Sequence, residues 1–397
     1  MPAQVKVMIV AGEASGDLHG SNLIKAVYER EPGIAFFGVG GPRIKETGSQ
    51  ILVDSAELAV VGISEVLPNI GKIFAALNLL KKKLIEERPS LVVLIDFPDF
   101  NLMLAKHAKK AGIPILYYIS PQVWAWRRKR VNKIAKLVDR MAVIFPFEVD
   151  FYEKAGLDAS FVGHPLIDAV KVSGNREDIR RKFGIEEGKR VIGLLPGSRG
   201  KEIKSLLPPM LESAEIMAAR SLEFRFILPV AHTLDRSLLD AHLALYNVDV
   251  TVVEGATYEV MKACDAAFIA SGTASLEAAI IGTPMVVVYS ASPLTYLIGR
   301  IFVMKNIEYF SLPNIIAGRK IIPELLQDDA NAGRMVEEMF AILYGKGIYE
   351  QMVKDLEEVR DKLGGEGASG RTAELVIEMI KGQVKSCLLY TSPSPRD

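Results

Sequence analysis

Cysteine is nearly absent from this chain, since only Cys264 and Cys387 occur among its 397 residues. Two cysteines this far apart exclude a disulfide framework, and they lack the spacing of a zinc site. Their scarcity is typical of proteins from a reducing compartment. The chain also has no uninterrupted run of about 18 apolar residues and no charged-then-apolar leader after Met1. We therefore expect a cytoplasmic protein that does not cross a membrane.

Neither sign of charge is in excess, because 48 Lys and Arg residues balance 48 Asp and Glu residues. A neutral chain has no global basic field that attracts nucleic acid, so we expect no nucleic-acid partner. Any anionic ligand must instead be bound by local groups. The length of 397 residues is suited to two domains of ~150–200 residues each.

Short apolar runs alternate with helical periods along nearly the whole chain. We expect one series of strands between residues 5 and 163 and a second between residues 190 and 288. This alternation predicts an α/β fold with two doubly wound, Rossmann-like domains. Turn and charge signals between Asp168 and Lys189 predict the linker. Ligands of such sheets bind beyond the carboxyl ends of the strands, so the two domains are expected to share a cleft.

Two strand-to-helix turns in the second series favour binding of a phosphorylated ligand. Residues 196–199 follow one apolar strand, and residues 271–273 follow another. The first backbone N–H groups of a helix can bind an anion, and Arg199 adds a positive charge. Such turns also occur for backbone reasons alone. Together they predict a diphosphate site formed by Ser198, Arg199, Ser271, Gly272 and Thr273.

Glu277 lies about one helical turn after Thr273, where its carboxylate can accept hydrogen bonds from a ribose diol. The helix dipole alone also favours an acidic residue there. The strand end at Gly255 leaves room for a nucleobase, so this domain is predicted to bind a nucleoside diphosphate. No Asp-X-Asp pair lies in this site, so we expect neither a metal ion nor another cofactor.

A candidate general base follows the buried strand over residues 91–95, where Asp96 and Asp99 emerge at the carboxyl end. Neighbouring apolar residues are expected to desolvate Asp99 partly, which would raise its pKa and make it a better proton acceptor. The alternative is that Asp99 only caps the next helix.

The first strand ends in the segment AGEASGDLHG, residues 11–20. We expect this loop to face the substrate through Glu13, Ser15 and His19. The alternative is a plain turn in which Ser15 or Asp17 caps the following helix. The spacing of its glycines does not match a dinucleotide-binding fingerprint.

The segment 120–130 holds both tryptophans of the chain beside four basic residues. We expect it to form a wall of the binding cleft for an anionic or acylated substrate, and a solvated basic helix face is the alternative. His164, which lies between two turn-forming residues at a strand exit, is expected to be a structural histidine.

Apolar residues recur at helical spacing between residues 66 and 84, with lysines along the flanks. A core helix would show the same stripe. The basic flanks and apolar residues outside the stripe favour a helix that also contacts an anionic membrane surface. The residues expected to face the membrane are Leu67, Ile70, Ile73, Phe74 and Leu77.

Several characteristic blocks occur in order along the chain: AGEASGDLHG, IDFPDFN, SPQVWAWR, GHP, LPGSRGKE, SGTASLE and SLPNIIAGR. Taken together, they resemble the lipid-A-disaccharide synthase family of bacterial inverting glycosyltransferases, which have the GT-B fold. The resemblance implies transfer of 2,3-diacylglucosamine from its UDP form to the 6-hydroxyl of 2,3-diacylglucosamine 1-phosphate, with release of UDP. It implies that Asp99 is the base, that Arg199 and residues 271–273 bind the donor diphosphate, and that Glu277 contacts ribose. It also implies a functional role for the amide of Asn314.

The resemblance further implies an acceptor-binding, membrane-facing domain over residues 1–170 and a UDP-sugar-binding domain over residues 171–350. Helices over 351–385 are expected to pack on the first domain or on a partner subunit. The Ser/Pro-rich residues 386–397 are expected not to be native to the fold. Family membership implies the inner face of the cytoplasmic membrane and a homodimer with exchanged C-terminal parts. Two alternatives are a UDP-N-acetylglucosamine epimerase or hydrolase, and a non-catalytic UDP-sugar sensor.

Overall fold

The computed structural model of the protein describes residues 4–58, 63–126, 130–230, 236–290 and 308–391, without the side chains of residues 63–70, 125–126 and 383–391. The chain divides into two compact units. Unit 1 runs to Pro165 and resumes at Gly364, and unit 2 comprises Leu166–Leu363. Each unit is built on a parallel sheet with helices, so the predicted α/β class is confirmed.

Unit 1 alternates strands and helices from its first strand onward. Its elements are β1 Lys6–Ala11, α1 Ala14–Tyr28, β2 Ala35–Gly40, α2 Pro42–Glu46, β3 Gln50–Asp54, α3 Ser55–Leu58, α4 Ile63–Glu87, β4 Leu91–Ile95, α5 Pro98–Lys110, β5 Ile115–Tyr118, α6 Val123–Trp126, α7 Val131–Ala135, β6 Arg140–Val143, α8 Phe147–Glu153 and β7 Asp158–Phe161.

The sheet of unit 1 has seven strands in the order β3-β2-β1-β4-β5-β6-β7. Strand β4 consists entirely of buried apolar residues, as expected of a parallel strand that is covered on both faces. The strand order reverses between β1 and β4, so the crevice beyond their carboxyl ends is where a doubly wound sheet places its ligand.

Unit 2 repeats this architecture with a smaller sheet. Its elements are α9 Leu166–Ala169, α10 Arg176–Lys182, β8 Arg190–Leu195, α11 Gly200–Arg220, β9 Phe224–Val230, α12 Arg236–Leu243, β10 Val250–Glu254, α13 Thr257–Ala263, β11 Ala266–Ala270, α14 Thr273–Ile281, β12 Met285–Tyr289, α15 Leu312–Ala317, β13 Glu324–Leu326, α16 Ala332–Tyr344 and α17 Ile348–Lys362.

The sheet of unit 2 has six strands in the order β10-β9-β8-β11-β12-β13, and its order reverses between β8 and β11. The segment predicted as a linker, Asp168 to Lys189, holds the end of α9 and the whole of α10. Arg176 Nη2 and Arg180 Nη2 on α10 lie 2.8 Å and 2.7 Å from the two carboxylate oxygens of Asp265. These partly buried ion pairs attach α10 to the sheet at the start of β11.

The last helix, α18 Ala368–Thr391, belongs to unit 1 and packs along α1. Arg371 Nε and Nη2 donate hydrogen bonds to the carbonyl oxygens of Val162 and Gly365, each at 2.7 Å. Lys381 also pairs with Glu31 at 2.6 Å. The first part of α18 is thus fastened to the exit of β7 and to the turn after α1.

The predicted non-native tail overlaps this helix, because α18 continues to Thr391. Residues 392–397 lie outside the described residues. Among the described helices, none combines the length and the apolar composition that a bilayer crossing requires.

Candidate functional site

The two predicted phosphate-binding turns lie side by side in unit 2. Strands β8 and β11 are parallel neighbours, and Leu195 is paired in register with Ile269. The turn after Leu195 and the turn after Ala270 therefore leave the same edge of the sheet at the point where the strand order reverses. The sequence placed both turns correctly at strand ends, and the sheet order brings them together.

Glu202 occupies the backbone donors of the first turn. The backbone N–H groups of Ser198 and Arg199 donate to Glu202 Oε2 at 3.0 Å and 3.2 Å. The exposed Arg199 guanidinium lies 3.3 Å from Glu202 Oε1. Gly197 has φ +107°, and a Cβ on it would lie 2.9 Å from Glu202 Cβ, so only glycine suits this position. Sequence reasoning missed Glu202, although an acidic residue three positions after a helix N-cap is the signature of a capping box.

The second turn is more open. Gly272 has φ +154° and no atom within 4 Å of the position that a Cβ would take. It is the N-cap of α14, and no side chain in the described part of the chain caps that helix. The Ser275 N–H donates to Gly272 O at 3.2 Å, and the N–H groups of Thr273 and Ala274 retain the anion-binding property of a helix N-terminus.

Glu277 lies on α14 and is hydrogen-bonded to Tyr258 of α13, whose Oη donates to Glu277 Oε1 at 3.1 Å. Burial raises the pKa of Glu277, and the bond from Tyr258 opposes that rise. Gly255 follows β10 with φ +68°, in the left-handed region that suits glycine. The sequence predicted Glu277 and Gly255 and gave no sign of Tyr258, and the binding roles of Glu277 and Gly255 stay predictions.

Asn314 is completely buried at the start of α15, and its amide is fully engaged within unit 2. Its Nδ2 donates to Ile322 O at 3.0 Å and to Glu324 Oε1 at 2.8 Å. Its Oδ1 accepts from the backbone N–H groups of Ile321 and Ile322 at 2.7 Å and 3.1 Å. This geometry favours a role in shaping the turn before β13, and the functional role of Asn314 stays a prediction.

In unit 1, the expected desolvation of Asp99 is wrong. Its side chain is 73% exposed in the first turn of α5 and pairs with Arg130. The N-cap position belongs to Phe97, so Asp99 does not cap the helix by a side-chain bond either. Helix α5 begins at Pro98, and its direction points the Asp99 side chain to solvent rather than to the neighbouring apolar residues. Its role as the base stays a prediction.

The carboxylate of Asp96, directly after β4, has a raised pKa. Burial, and then the charge of Glu13, raise the pKa of Asp96 to about 6. The backbone carbonyl oxygen of Asp96 accepts hydrogen bonds from Tyr117 Oη at 2.5 Å and from Asn101 Nδ2 at 2.7 Å. Asp96 and Phe97 both have left-handed backbone angles, φ 43° and 47°, which are strained for residues other than glycine. These hydrogen bonds hold a strained turn, a feature that clusters at functional sites.

The loop after β1 packs directly against this turn. A Cβ on Gly12 would overlap the ring of Phe97, with Cε1 at 2.8 Å. Glycine at this position therefore lets the two loops touch, and it brings Glu13 near Asp96. Glu13 and Ser15 are exposed at the start of α1.

The alternative for this loop, a cap of α1 by Ser15 or Asp17, is wrong. Glu13 is the N-cap residue, and it makes no side-chain cap bond. The buried carboxylate of Asp17 instead accepts from the backbone N–H groups of Gly41 and Ile44 at 2.7 Å and 3.0 Å. Asp17 thus caps α2 and ties two helices of unit 1 together.

His19 and His164 lie close together in unit 1. Burial lowers the pKa of His19 to about 4 and that of His164 to about 3, and the charge of His19 lowers the latter further. Both imidazoles are therefore neutral at pH 7. The His164 ring also packs 5.1 Å from that of Phe145. The structural role expected for His164 stays a prediction.

The segment 120–130 is anchored by Glu148, a buried carboxylate that sequence reasoning missed. Glu148 Oε1 accepts from Ser120 Oγ and from Trp124 Nε1, the latter at 3.2 Å. Burial raises the pKa of Glu148 to about 7. Trp124 is therefore held in the core. The side chain of Trp126 and residues 127–129 lie outside the described part of the chain.

The helix predicted to face a membrane is divided between core and surface. Leu77 is 3% exposed and packs in the core, so its predicted exposure is wrong. Ile73 is partly buried against the same core, whereas Phe74 is 50% exposed. The side chains of Leu67 and Ile70 lie outside those that the structure describes. The apolar stripe of α4 mainly serves the core, because Leu77, Leu80 and Leu84 are buried in it and α4 packs against α5.

Comparison with known proteins identifies the family. A family model described as lipid-A-disaccharide synthetase matches residues 7–376. The lipid-A-disaccharide synthase of Geobacter sulfurreducens is 48% identical over 379 residues, covering 96% of this chain and 98% of that protein.

Solved structures confirm the predicted fold. The MnaA–UDP complex from S. aureus aligns with a TM-score of 0.62 at 14% identity, over 99% of this chain and all of that one (100%). MurG from Acinetobacter baumannii aligns with a TM-score of 0.59 at 15% identity, over 94% of this chain and 99% of that one. At these identities the likeness concerns the GT-B fold alone. Family match and full-length similarity together show that the chain belongs to the lipid-A-disaccharide synthase family, the glycosyltransferases that form the lipid A disaccharide.

Proposed function

We propose that this chain transfers 2,3-diacylglucosamine from UDP-2,3-diacylglucosamine to 2,3-diacylglucosamine 1-phosphate, with inversion at the transferred sugar. The main support for this proposal is the pair of turns after β8 and β11, which leave the same edge of the sheet. The chain also belongs to the lipid-A-disaccharide synthase family. Glu277 lies one helical turn beyond the second turn. This arrangement supports a UDP site in unit 2.

The donor is bound, in this proposal, through its diphosphate and its ribose. Backbone N–H groups at the starts of α11 and α14 and the guanidinium of Arg199 meet the diphosphate. The carboxylate of Glu277 accepts from the ribose hydroxyls, and the nucleobase lies by Gly255. As the glycosidic bond breaks, negative charge grows on the departing UDP, and the same groups stabilise it. Ser198, Ser271 and Thr273 add hydroxyl donors.

The acceptor reacts through its 6-hydroxyl. The Asp99 carboxylate takes the hydroxyl proton while the oxygen forms a bond to C1 of the donor sugar. The bond from C1 to the diphosphate oxygen breaks, and UDP leaves with the electron pair. A single displacement of this kind inverts C1. Glu13, Ser15 and His19, at the β1 exit of the same unit, are assigned to the acceptor-binding surface.

Replacement of Asp99 by asparagine tests these roles. We expect Asp99→Asn to lower transfer by roughly 100- to 10,000-fold, the range for loss of a general base, and to leave UDP binding unchanged. Asp178→Asn is a matched control, because Asp178 is another exposed aspartate paired with an arginine, Arg181 at 3.3 Å. Transfer by Asp99→Asn at the rate of the control would exclude Asp99 as the base. UDP-N-acetylglucosamine turnover without an acceptor would favour an epimerase or hydrolase.

We also infer binding at the inner face of the cytoplasmic membrane, where an acylated acceptor resides. Phe74, Leu79 and Ile85 on α4 are exposed apolar side chains, and the exposed Lys82 lies on the same helix. Apolar contact combined with positive charge favours an anionic bilayer surface.

A homodimer with exchanged C-terminal parts is a further inference, which depends on the family resemblance. Light scattering of the full chain tests it, with a variant that ends at Leu363 as the comparison. Dimers that persist without α18, or a full chain that is monomeric at micromolar concentration, would contradict the exchange.

A further inference from the structure

Tyr258 contacts the residue that we assign to ribose recognition. Its Oη donates to Glu277 Oε1 at 3.1 Å, from α13 to the neighbouring α14. No other residue in the described part of the chain donates a hydrogen bond to Glu277. One carboxylate oxygen is therefore held by Tyr258, and Oε2 has no donor among the described residues, so it is available to a ligand.

A glutamate side chain needs such a contact to present its carboxylate in one direction. It has several rotatable bonds, and fixing them costs conformational entropy at the moment of binding. The hydrogen bond from Tyr258 on the neighbouring helix fixes these torsions before the ligand binds. Burial raises the pKa of Glu277, and the Tyr258 bond acts in the opposite direction, so it also favours the ionised, accepting form.

The position of Tyr258 in the chain connects two parts of the same site. It follows the Gly255 turn at the end of β10, the turn that we assign to the nucleobase. Gly255 N donates to Val230 O at 3.4 Å, which ties this turn to β9. The tyrosine that leaves this turn then reaches the ribose carboxylate on α14. Base and ribose contacts are thus coupled through one short segment.

We propose that Tyr258 is a positioning residue for nucleotide selection. Its hydroxyl aligns the Glu277 carboxylate with the ribose 2′- and 3′-hydroxyls, so the enzyme distinguishes a ribonucleoside diphosphate from its 2′-deoxy counterpart. This inference rests on the proposed function, because it assumes that unit 2 binds UDP.

Calorimetric titration with UDP and with 2′-deoxy-UDP tests this role. The wild-type chain binds UDP more tightly than 2′-deoxy-UDP. Tyr258→Phe keeps the ring and removes only the hydroxyl, so UDP affinity falls roughly fivefold to tenfold, the size expected for one hydrogen bond that orients a carboxylate. Affinity for 2′-deoxy-UDP changes less than twofold. The preference for ribose therefore shrinks.

Tyr344→Phe is the matched control. Tyr344 also donates to a glutamate, Glu223, but that residue precedes β9 at the amino edge of the same sheet. This variant loses an equivalent bond and keeps the full preference for UDP. Thermal unfolding of both variants, measured alongside, reports any general loss of structure.

A double-mutant cycle separates positioning from other effects. In a Glu277→Gln background, Tyr258→Phe causes little further loss of UDP affinity if it acts through Glu277. A loss that persists in this background, or one that is equal for UDP and 2′-deoxy-UDP, overturns the proposal for Tyr258. Failure of the wild-type chain to bind UDP at all would instead overturn the proposed function.

Discussion

Glu202→Gln is expected to strengthen UDP binding. The Glu202 carboxylate accepts from the N–H groups of Ser198 and Arg199 at 3.0 Å and 3.2 Å and pairs with the Arg199 guanidinium. These are the groups that we assign to the donor diphosphate. The carboxylate is therefore an internal anion that a diphosphate must displace before it can bind there. Glutamine keeps the shape of the side chain and removes its charge.

The magnitude follows from the exposure of the pair. Because the Arg199 side chain is 78% exposed, solvent screens most of the attraction, and about 0.5–1 kcal/mol is a reasonable value for the competing charge. UDP affinity should rise roughly twofold to fivefold. The helix α11 loses part of its N-terminal charge, so the free energy of unfolding falls by about 0.3–1 kcal/mol.

Titration of UDP into both proteins at low and at high salt measures this effect. The gain in affinity should shrink as salt rises, because it depends on the charge of an exposed group. Lys201→Gln is the control for the electrostatic field around the site. It also changes one charge in the first turn of α11, but Lys201 makes no hydrogen bond to these N–H groups. Weaker UDP binding by Glu202→Gln would show that Glu202 supports the phosphate site and would refute the competition argument.

Three further predictions concern packing, pH and membrane contact. Gly12→Ala should lower the free energy of unfolding by about 1–3 kcal/mol, because its Cβ meets the ring of Phe97. Gly71→Ala, at a position with open space around it, should not lower it, and chemical unfolding of both variants compares them. The pKa of Asp96 is raised from 3.8 to about 6, so this carboxyl destabilises the fold increasingly as pH rises between those two values and by a constant amount above them; Asp96→Asn should therefore raise the free energy of unfolding by about 1–2 kcal/mol at pH 7, and the gain should vanish below pH 4. Phe74→Glu should reduce binding to anionic vesicles in a flotation assay, and Leu222→Glu, at an exposed apolar residue of unit 2, should not.

Local sequence signals were sufficient for most strands and for the turns after β8 and β11, but they missed β13, which lies beyond the predicted second series. Parallel strands such as β4 are continuous apolar runs, and the turns at Ser198 and Gly272 carry glycine and hydroxyl residues at a helix start. Their positions beyond the carboxyl ends of strands follow from the fold class. The strand order that makes β8 and β11 neighbours is a long-range property, which no local pattern contains.

The errors concern contacts between residues that are distant in sequence. Asp17 caps α2, whose first residues lie 24 to 27 positions away, so no pattern near α1 reveals it. Asp99 and Asp96 share one motif, and only the direction of α5 decides which of them is the more exposed. A helical apolar stripe has the same period whether it faces a core or a membrane, and therefore the burial of Leu77 could not be predicted.

The most direct test of the central claim is a mass-spectrometric assay of the purified chain with UDP-2,3-diacylglucosamine and 2,3-diacylglucosamine 1-phosphate, supplied together and apart. The proposed function predicts lipid A disaccharide 1-phosphate and UDP in equal amounts, formed only when both substrates are present. Release of UDP without the acyl-sugar phosphate, or binding of both substrates without any disaccharide, would contradict it.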